Sequence, residues 1–165
     1  MERPRIKIER KPLDWCIEAI GLLLVLSHWS VILLFYFRLP NIIPVHYNGA
    51  GVIDDWGDKS TLWMLPVIST AMYIGITFLQ KIPHFYNYAT IEITEQNAEK
   101  IYRCGVRMIA IFKVLLVAVF TFLTVQVLQD AFHTFWFVRF WMIMAGIGLA
   151  IITMIYYIVK MYMVR

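Results

Sequence analysis

The chain has 165 residues, 61% of them hydrophobic and only 16% charged, with a mean hydropathy of +0.68. Soluble domains sit nearer about 45–50% apolar, so an ordinary soluble fold is excluded and an integral membrane protein is implied. The formal net charge of +4 is gathered in segments between long apolar runs, so it reports topology and not a nucleic-acid partner.

Residues 1–12 form a basic tail with Arg3, Arg5, Lys7, Arg10 and Lys11. It lacks apolar periodicity and is expected to be a flexible anchor for anionic lipid headgroups. Pro12 suits a first helical turn, and Asp14 and Glu18 favour the positive end of the helix dipole. The first span, residues 15–37, is longer than a signal-peptide core and no small-residue cleavage site follows it, so it is expected to stay uncleaved. Arg38, Leu39 and Pro40 end it, because proline cannot continue the helix.

Residues 38–59 form a polar loop far more tightly specified than a connection requires. It holds Pro40, Pro44, His46, Asn48, Gly51, Asp54, Asp55, Trp56, Gly57 and Lys59. Loops this particular carry function more often than mere connection. Asn48, Gly49 and Gly51 are turn signals, and Ser60 is the expected N-cap of the second span, residues 60–82. Pro66 falls about two turns inside that helix and is expected to kink it or free a carbonyl.

Residues 83–105 form the next connection. Its aromatic stretch His84-Phe-Tyr-Asn-Tyr88 fits a membrane interface. Thr94 reads as an N-cap with Glu95 in the first turn. The helix that follows is expected to run unbroken through Tyr102 and Arg107 into the third span, residues 106–128. A short connection then leads to the fourth span, residues 135–162, where Ala145, Gly146 and Gly148 permit close helix approach and offer a face for a second copy or a membrane partner. The expected architecture is therefore all-α: one membrane domain, residues 1–165, a four-helix bundle with an ordered extracytoplasmic loop between its first two helices.

Basic residues set the sidedness. Besides the tail, Lys81, Lys100, Arg103, Arg107, Lys160 and Arg165 fall on one side, against Arg38, Lys59 and Arg139 on the other. Positive-inside bias places both termini in the cytoplasm and the 38–59 loop outside. Cys16 and Cys104 have no metal-type spacing and are expected to be small residues in packed helices.

Among polar groups, the loop constellation is the first candidate for function. His46, Asn48 and Asp54 would pin the loop by hydrogen bonds to its backbone, or take part in binding a peptide or lipid. One imidazole and neighbouring carboxylates also make His46 and Asp54 candidate metal ligands, although the spacing matches no standard zinc motif. Trp56 is expected to anchor at the outer interface, and Lys59 to pair with Asp55 or a lipid phosphate. Within the spans, His28 is costly unless satisfied by Ser27, Ser30 or a threonine such as Thr70 or Thr121. Lys113 is expected to snorkel toward the cytoplasm. No catalytic or phosphate-binding motif and no cofactor signature is present.

The loop carries a resemblance. Leu39-Pro40, Ile43-Pro44-Val45-His46-Tyr47-Asn48, Gly51, Asp54-Asp55-Trp56-Gly57-Asp58-Lys59 and Pro66 closely resemble the membrane family known as domain of unknown function 1648. The similarity covers about residues 26–70. The segment from Asn87-Tyr88 through Thr94, Asn97 and Tyr102-Arg103 is similar to one in small bacterial members. The resemblance implies a bacterial cytoplasmic-membrane protein related to the Sdp-toxin immunity proteins, which protect their host from a membrane-active peptide and take part in signalling. The chain is shorter than those proteins, and its second half does not match their immunity-specific region. The expected role is therefore binding of a hydrophobic peptide or a lipid, without catalysis; a small membrane enzyme or transporter using the outer loop is the alternative.

Overall fold

The computed structural model describes residues 3–134 and 140–164. Four helices are long and apolar enough to cross a membrane: α1 (Pro12–Phe35), α2 (Met64–Leu79), α3 (Ala98–Ala131) and α4 (Phe140–Met163). The protein is a multi-pass all-α membrane bundle. The loop between α1 and α2 adds a two-stranded antiparallel hairpin, β1 (Ile42–Tyr47) and β2 (Ile53–Asp58). The sequence reading had these residues as an ordered loop without strands.

The helix α1 begins as its sequence dictates. Pro12 occupies the first turn, and the Asp14 carboxylate accepts from the Lys11 N–H at 2.8 Å. Its buried face is Gly21, Val25, His28 and Ile32, spaced by three or four residues as one helical stripe requires. Gly21 lets α1 approach closely: a Cβ there would lie 2.9 Å from the Tyr73 ring and 3.2 Å from Val114.

At the start of α2 the capping residue is Asp58, not Ser60. Its carboxylate accepts from the Ser60 N–H at 2.8 Å and caps a 3-10 turn, Lys59–Trp63, that precedes the helix. Pro66 is consequently the third residue of α2, in the first turn, where a missing N–H costs no helical hydrogen bond. The expected kink has no cause there.

The long helix α3 has 34 residues, about 51 Å at 1.5 Å per residue, well beyond the ~30 Å hydrocarbon core. It is unbroken as expected, but it starts at Ala98. The Asn97 side chain accepts from the Thr94 N–H at 2.9 Å, which closes a turn over residues 94–97 and delays the helix. α3 is the hub of the bundle, packing on α1, α2 and α4. Gly146 of α4 sits against it, and a Cβ there would meet Val119 at 2.9 Å. This small-residue position therefore serves contact within the chain, while Ala145 is exposed and Gly148 faces open space. The first residues of the expected fourth span, 135–139, and the cations Arg139 and Arg165 lie outside the described residues.

Two apolar clusters lie at opposite ends. At the hairpin end, Ile32, Leu39, Ile43, Leu62, Val127, Leu128 and Ala131 are buried together. At the terminal end, Tyr88, Ile91, Ile101, Tyr102, Tyr157 and Met161 form the second. The N-terminal tail is fastened to this second cluster and is not a flexible anchor. Arg3 donates to the carbonyls of His84 and Tyr86, Tyr102 donates to that of Pro4, and Arg103 to that of Glu9. Local sequence gives no sign of these ties, because each partner lies more than 80 residues away.

Candidate functional site

The hairpin is built by its turn and by two irregularities. Asn48 turns the chain: its side-chain oxygen accepts from the N–H groups of Ala50 and Val52 at 2.9 and 3.1 Å. Gly51 has φ 78°, the left-handed region glycine enters without strain. The strand register runs Ile42 to Asp58, Ile43 to Gly57 and Pro44 to Trp56, then slips so that His46 faces Asp55 and Tyr47 faces Ile53. Val45 and Asp54 are thus the extra residues of two bulges. Bulges re-aim side chains, and here they bring His46 Nδ1 to 2.5 Å from Asp54 Oδ1. Gly57 makes room for the displaced Val45, whose Cγ1 would lie 3.0 Å from a Cβ at that position.

The His46–Asp54 pair is exposed. With Asp54 accepting from Nδ1–H, the imidazole is oriented by its carboxylate partner. Among the described residues no third His, Cys, Asp or Glu joins them in a group able to hold a metal, so the metal reading gains nothing from the geometry. Asp55 does not join the pair; its carboxylate accepts from the Trp56 N–H at 2.8 Å. Trp56 is half exposed. Hydrogen bonds from Ser60 hold the Asp58 carboxyl below its ordinary range.

Three contacts seat the hairpin on the bundle. Pro44 and Ile43 are buried against it. Lys59 does not reach Asp55; its Nζ donates to the Leu39 carbonyl at 3.2 Å and lies 5.5 Å from the Tyr36 ring centre, tying the hairpin base to the end of α1. Tyr47 donates to Asp130 of α3 at 2.8 Å, and Gln126 donates to the same carboxylate. Burial and this bond push the Tyr47 hydroxyl above its ordinary pKa. Pro40 is exposed beyond the helix end. The sequence reading did not single out Asp130; an acidic residue in the last turn of a helix, where the dipole disfavours it, is the signal that a partner was needed.

Beside the hairpin lies an apolar cleft of about 390 Å³. Val31 and Phe35 of α1 face Val125 and Leu128 of α3 and Phe132, with Arg38, Gln129 and Thr134 also lining it. Phe35, Leu128 and Phe132 belong as well to the apolar cluster beneath the hairpin, so cleft and hairpin share a floor.

Two polar clusters occupy the spans. His28 is fully buried, with Nδ1 3.1 Å from Ser69 Oγ and Nε2 2.7 Å from Thr124 Oγ1. Ser69 donates its one proton to the Pro66 carbonyl, so the Ser69 contact is made by Nδ1–H, and Nε2 accepts from Thr124. The network is complete with a neutral imidazole. The partners are of the type expected but not the residues expected; Thr70 instead accepts from Trp29 Nε1 at 2.9 Å. The second cluster corrects the expectation for Lys113, which does not snorkel. It is fully buried and donates to Glu18 Oε2 at 2.7 Å, Thr77 Oγ1 at 2.9 Å and Gln80 Oε1 at 3.2 Å. Gln80 in turn donates to the other oxygen of Glu18. The sequence reading noted Glu18 and Lys113 near one end of their spans and did not pair them. Cys104 is buried and Cys16 is exposed, so only the first is a packed core residue.

Residues 22–70 match the model of a family described as domain of unknown function (DUF1648). The match takes in most of α1, the hairpin and the first turns of α2, under a third of the chain. No curated protein and no solved structure matches the chain.

Proposed function

We propose that this chain is a bacterial inner-membrane protein, with both termini in the cytoplasm, whose hairpin end binds a hydrophobic peptide from outside and so protects the cell. The observation that carries this reading is the cleft between α1 and α3. Its walls are apolar, its volume of about 390 Å³ is in the range of ligand sites, and a few polar groups line it, which is the form hydrophobic ligands require. Among the described residues Arg38 is the one charged side chain in the lining and is exposed, suited to a peptide's terminal carboxylate. The hairpin motif's resemblance to immunity proteins against a membrane-active peptide supports the same occupant.

The test uses purified protein in nanodiscs titrated with labelled hydrophobic peptides. Val125→Trp fills the cleft and is expected to abolish peptide retention while leaving the hairpin in place. Retention unchanged in Val125→Trp would overturn the reading, as would displacement of every peptide by neutral phospholipid, which would make a lipid the occupant. A small membrane enzyme or transporter is the second reading, and it draws on the oriented His46. It requires turnover or flux that His46→Ala removes with peptide retention intact.

A further inference from the structure

At the terminal end a second cleft, of about 630 Å³, opens between the N-terminal tail and the ends of α1 and α2. Lys7 and Arg10 come from the tail, Trp15 from α1, and Lys81 and Pro83 follow α2; among the described residues Glu9 is the one carboxylate in the lining. We propose that this cleft is a binding site for an anionic phospholipid, independent of the hairpin end.

The charge pattern is the first support. The neighbouring cations are occupied: Arg3 by two backbone carbonyls, Arg103 by Glu99, Arg107 by Asp14 and Lys113 by Glu18. Among the described residues, Lys7, Arg10 and Lys81 meet no carboxylate; Arg10 lies only over the Trp15 ring and Lys81 over that of Phe78, at 5.0 and 4.9 Å from the ring centres. Three cations without a carboxylate partner thus face one space whose described lining holds a single opposing charge.

The second support is that the site is built in advance. Arg103 holds the Glu9 carbonyl at 2.8 Å, which fixes the tail beside Arg10. Gln80 forms part of the wall, its amide locked by Glu18 and Lys113. Binding to fixed groups avoids the ordering cost of a loose tail.

The third is depth. Trp15 is exposed at the start of α1, and Phe78, Leu79 and Ile82 are exposed at the end of α2. Aromatic side chains at helix ends mark the headgroup level, and basic pockets between helices at that level take phospholipid headgroups. A phosphate would meet Lys7, Arg10 and Lys81 while its acyl chains lie along Phe78 and Ile82. Phosphatidylcholine neutralises its own phosphate, and free phosphate lacks the apolar half of the contact.

The test is native mass spectrometry of the full chain in neutral detergent with phosphatidylglycerol, phosphatidylcholine or inorganic phosphate added. Each basic side chain near an anionic surface contributes about fivefold. R10Q/K81Q is therefore expected to weaken phosphatidylglycerol binding about 30-fold, whereas K100Q/K160Q removes the same charge outside the cleft and should change it by less than about threefold. Both pairs are surface substitutions, and unchanged melting of each would show that folding is intact. Equal loss in the two double variants would overturn the proposal. So would phosphatidylcholine bound as well as phosphatidylglycerol, or inorganic phosphate bound as tightly as the lipid.

Discussion

Replacing Lys113 by methionine isolates the effect of the buried ion pair. The substitution keeps the length of the stem and removes Nζ, which satisfies Glu18, Thr77 and Gln80 at once. Glu18 would then be a carboxylate among helices with only the Gln80 amide to hold it. Removing one partner of a buried pair costs about 3–5 kcal/mol, because the remaining charge is uncompensated. Glu18→Met leaves the opposite defect, an ammonium facing neutral oxygens and the Tyr73 ring 4.4 Å away. The double variant removes both charges and should recover most of the loss, ending within about 2 kcal/mol of the parent, since apolar replacement of a whole buried pair is often neutral. The cycle should give a coupling of about 3 kcal/mol or more. Unfolding by SDS in mixed micelles, followed by tryptophan fluorescence, measures all four proteins. A double variant destabilised by the sum of the singles would refute the reasoning and return Lys113 to a solvated position.

Four further outcomes follow from the geometry. Tyr47→Phe removes a hydrogen bond to a carboxylate and should loosen the hairpin by about 1.5–3 kcal/mol, read as faster proteolysis within residues 42–58. The hydroxyls of Tyr47, Tyr86 and Tyr88 are all held above their ordinary pKa by burial; unfolded tyrosines ionise near about pH 10, so this stability is complete below that pH and falls as pH rises through the folded values. Phenolate absorbance at pH 10 in the still-folded protein that Y47F, Y86F or Y88F removes would contradict it. Thr124→Val leaves His28 Nε2 without its donor and should cost about 0.5–2 kcal/mol in the same micelle assay. Gly146→Leu drives a side chain into Val119 and should lower the melting temperature by the equivalent of about 1–3 kcal/mol, with the loss confined to the α3–α4 contact and the hairpin's proteolysis pattern unchanged.

The sequence yields most where one residue's neighbours in the chain decide its state. Four apolar runs, the proline start of α1 and the continuity of α3 belong to this class, because hydrophobic length and capping are local. The strands were missed for the opposite reason. Pro44 and Gly57 argue against strands, and the two bulges break the alternation that would have revealed them. Thr94 and Asn97 are both good capping residues three apart, and only the bond between them decides which precedes the helix. His28 shows the limit most clearly: its depth predicted a hydroxyl partner, but the rotation of α2 and α3 about their axes chose Ser69 and Thr124. Lys113 and Glu18 lie 95 residues apart, beyond the reach of any local pattern.

The distribution of unused hydrogen-bonding capacity separates packing from binding in this bundle. In the two clusters within the spans, each contact falls into place once the protons are assigned: Ser69 gives its proton to Pro66, Thr77 gives its own to the Tyr73 carbonyl, and both hydroxyl oxygens are then free to accept. A proton or ion moving through either cluster would have to break several of these bonds together, which is costly at bilayer depth. The hairpin end differs. Among the described residues Gln126 Oε1 is the one buried side-chain polar atom without a partner, next to the Asp130 carboxylate that holds Tyr47. His46 Nε2 and the Trp56 ring are also uncommitted there. A buried acceptor left unpaired costs about 1–3 kcal/mol, so Gln126 Oε1 calls for a donor from outside the chain, which water or a ligand supplies. A ligand donor reaching Gln126 would recover part of it, and this is the physical reason to look for binding at the hairpin end and for structure alone at His28 and Lys113.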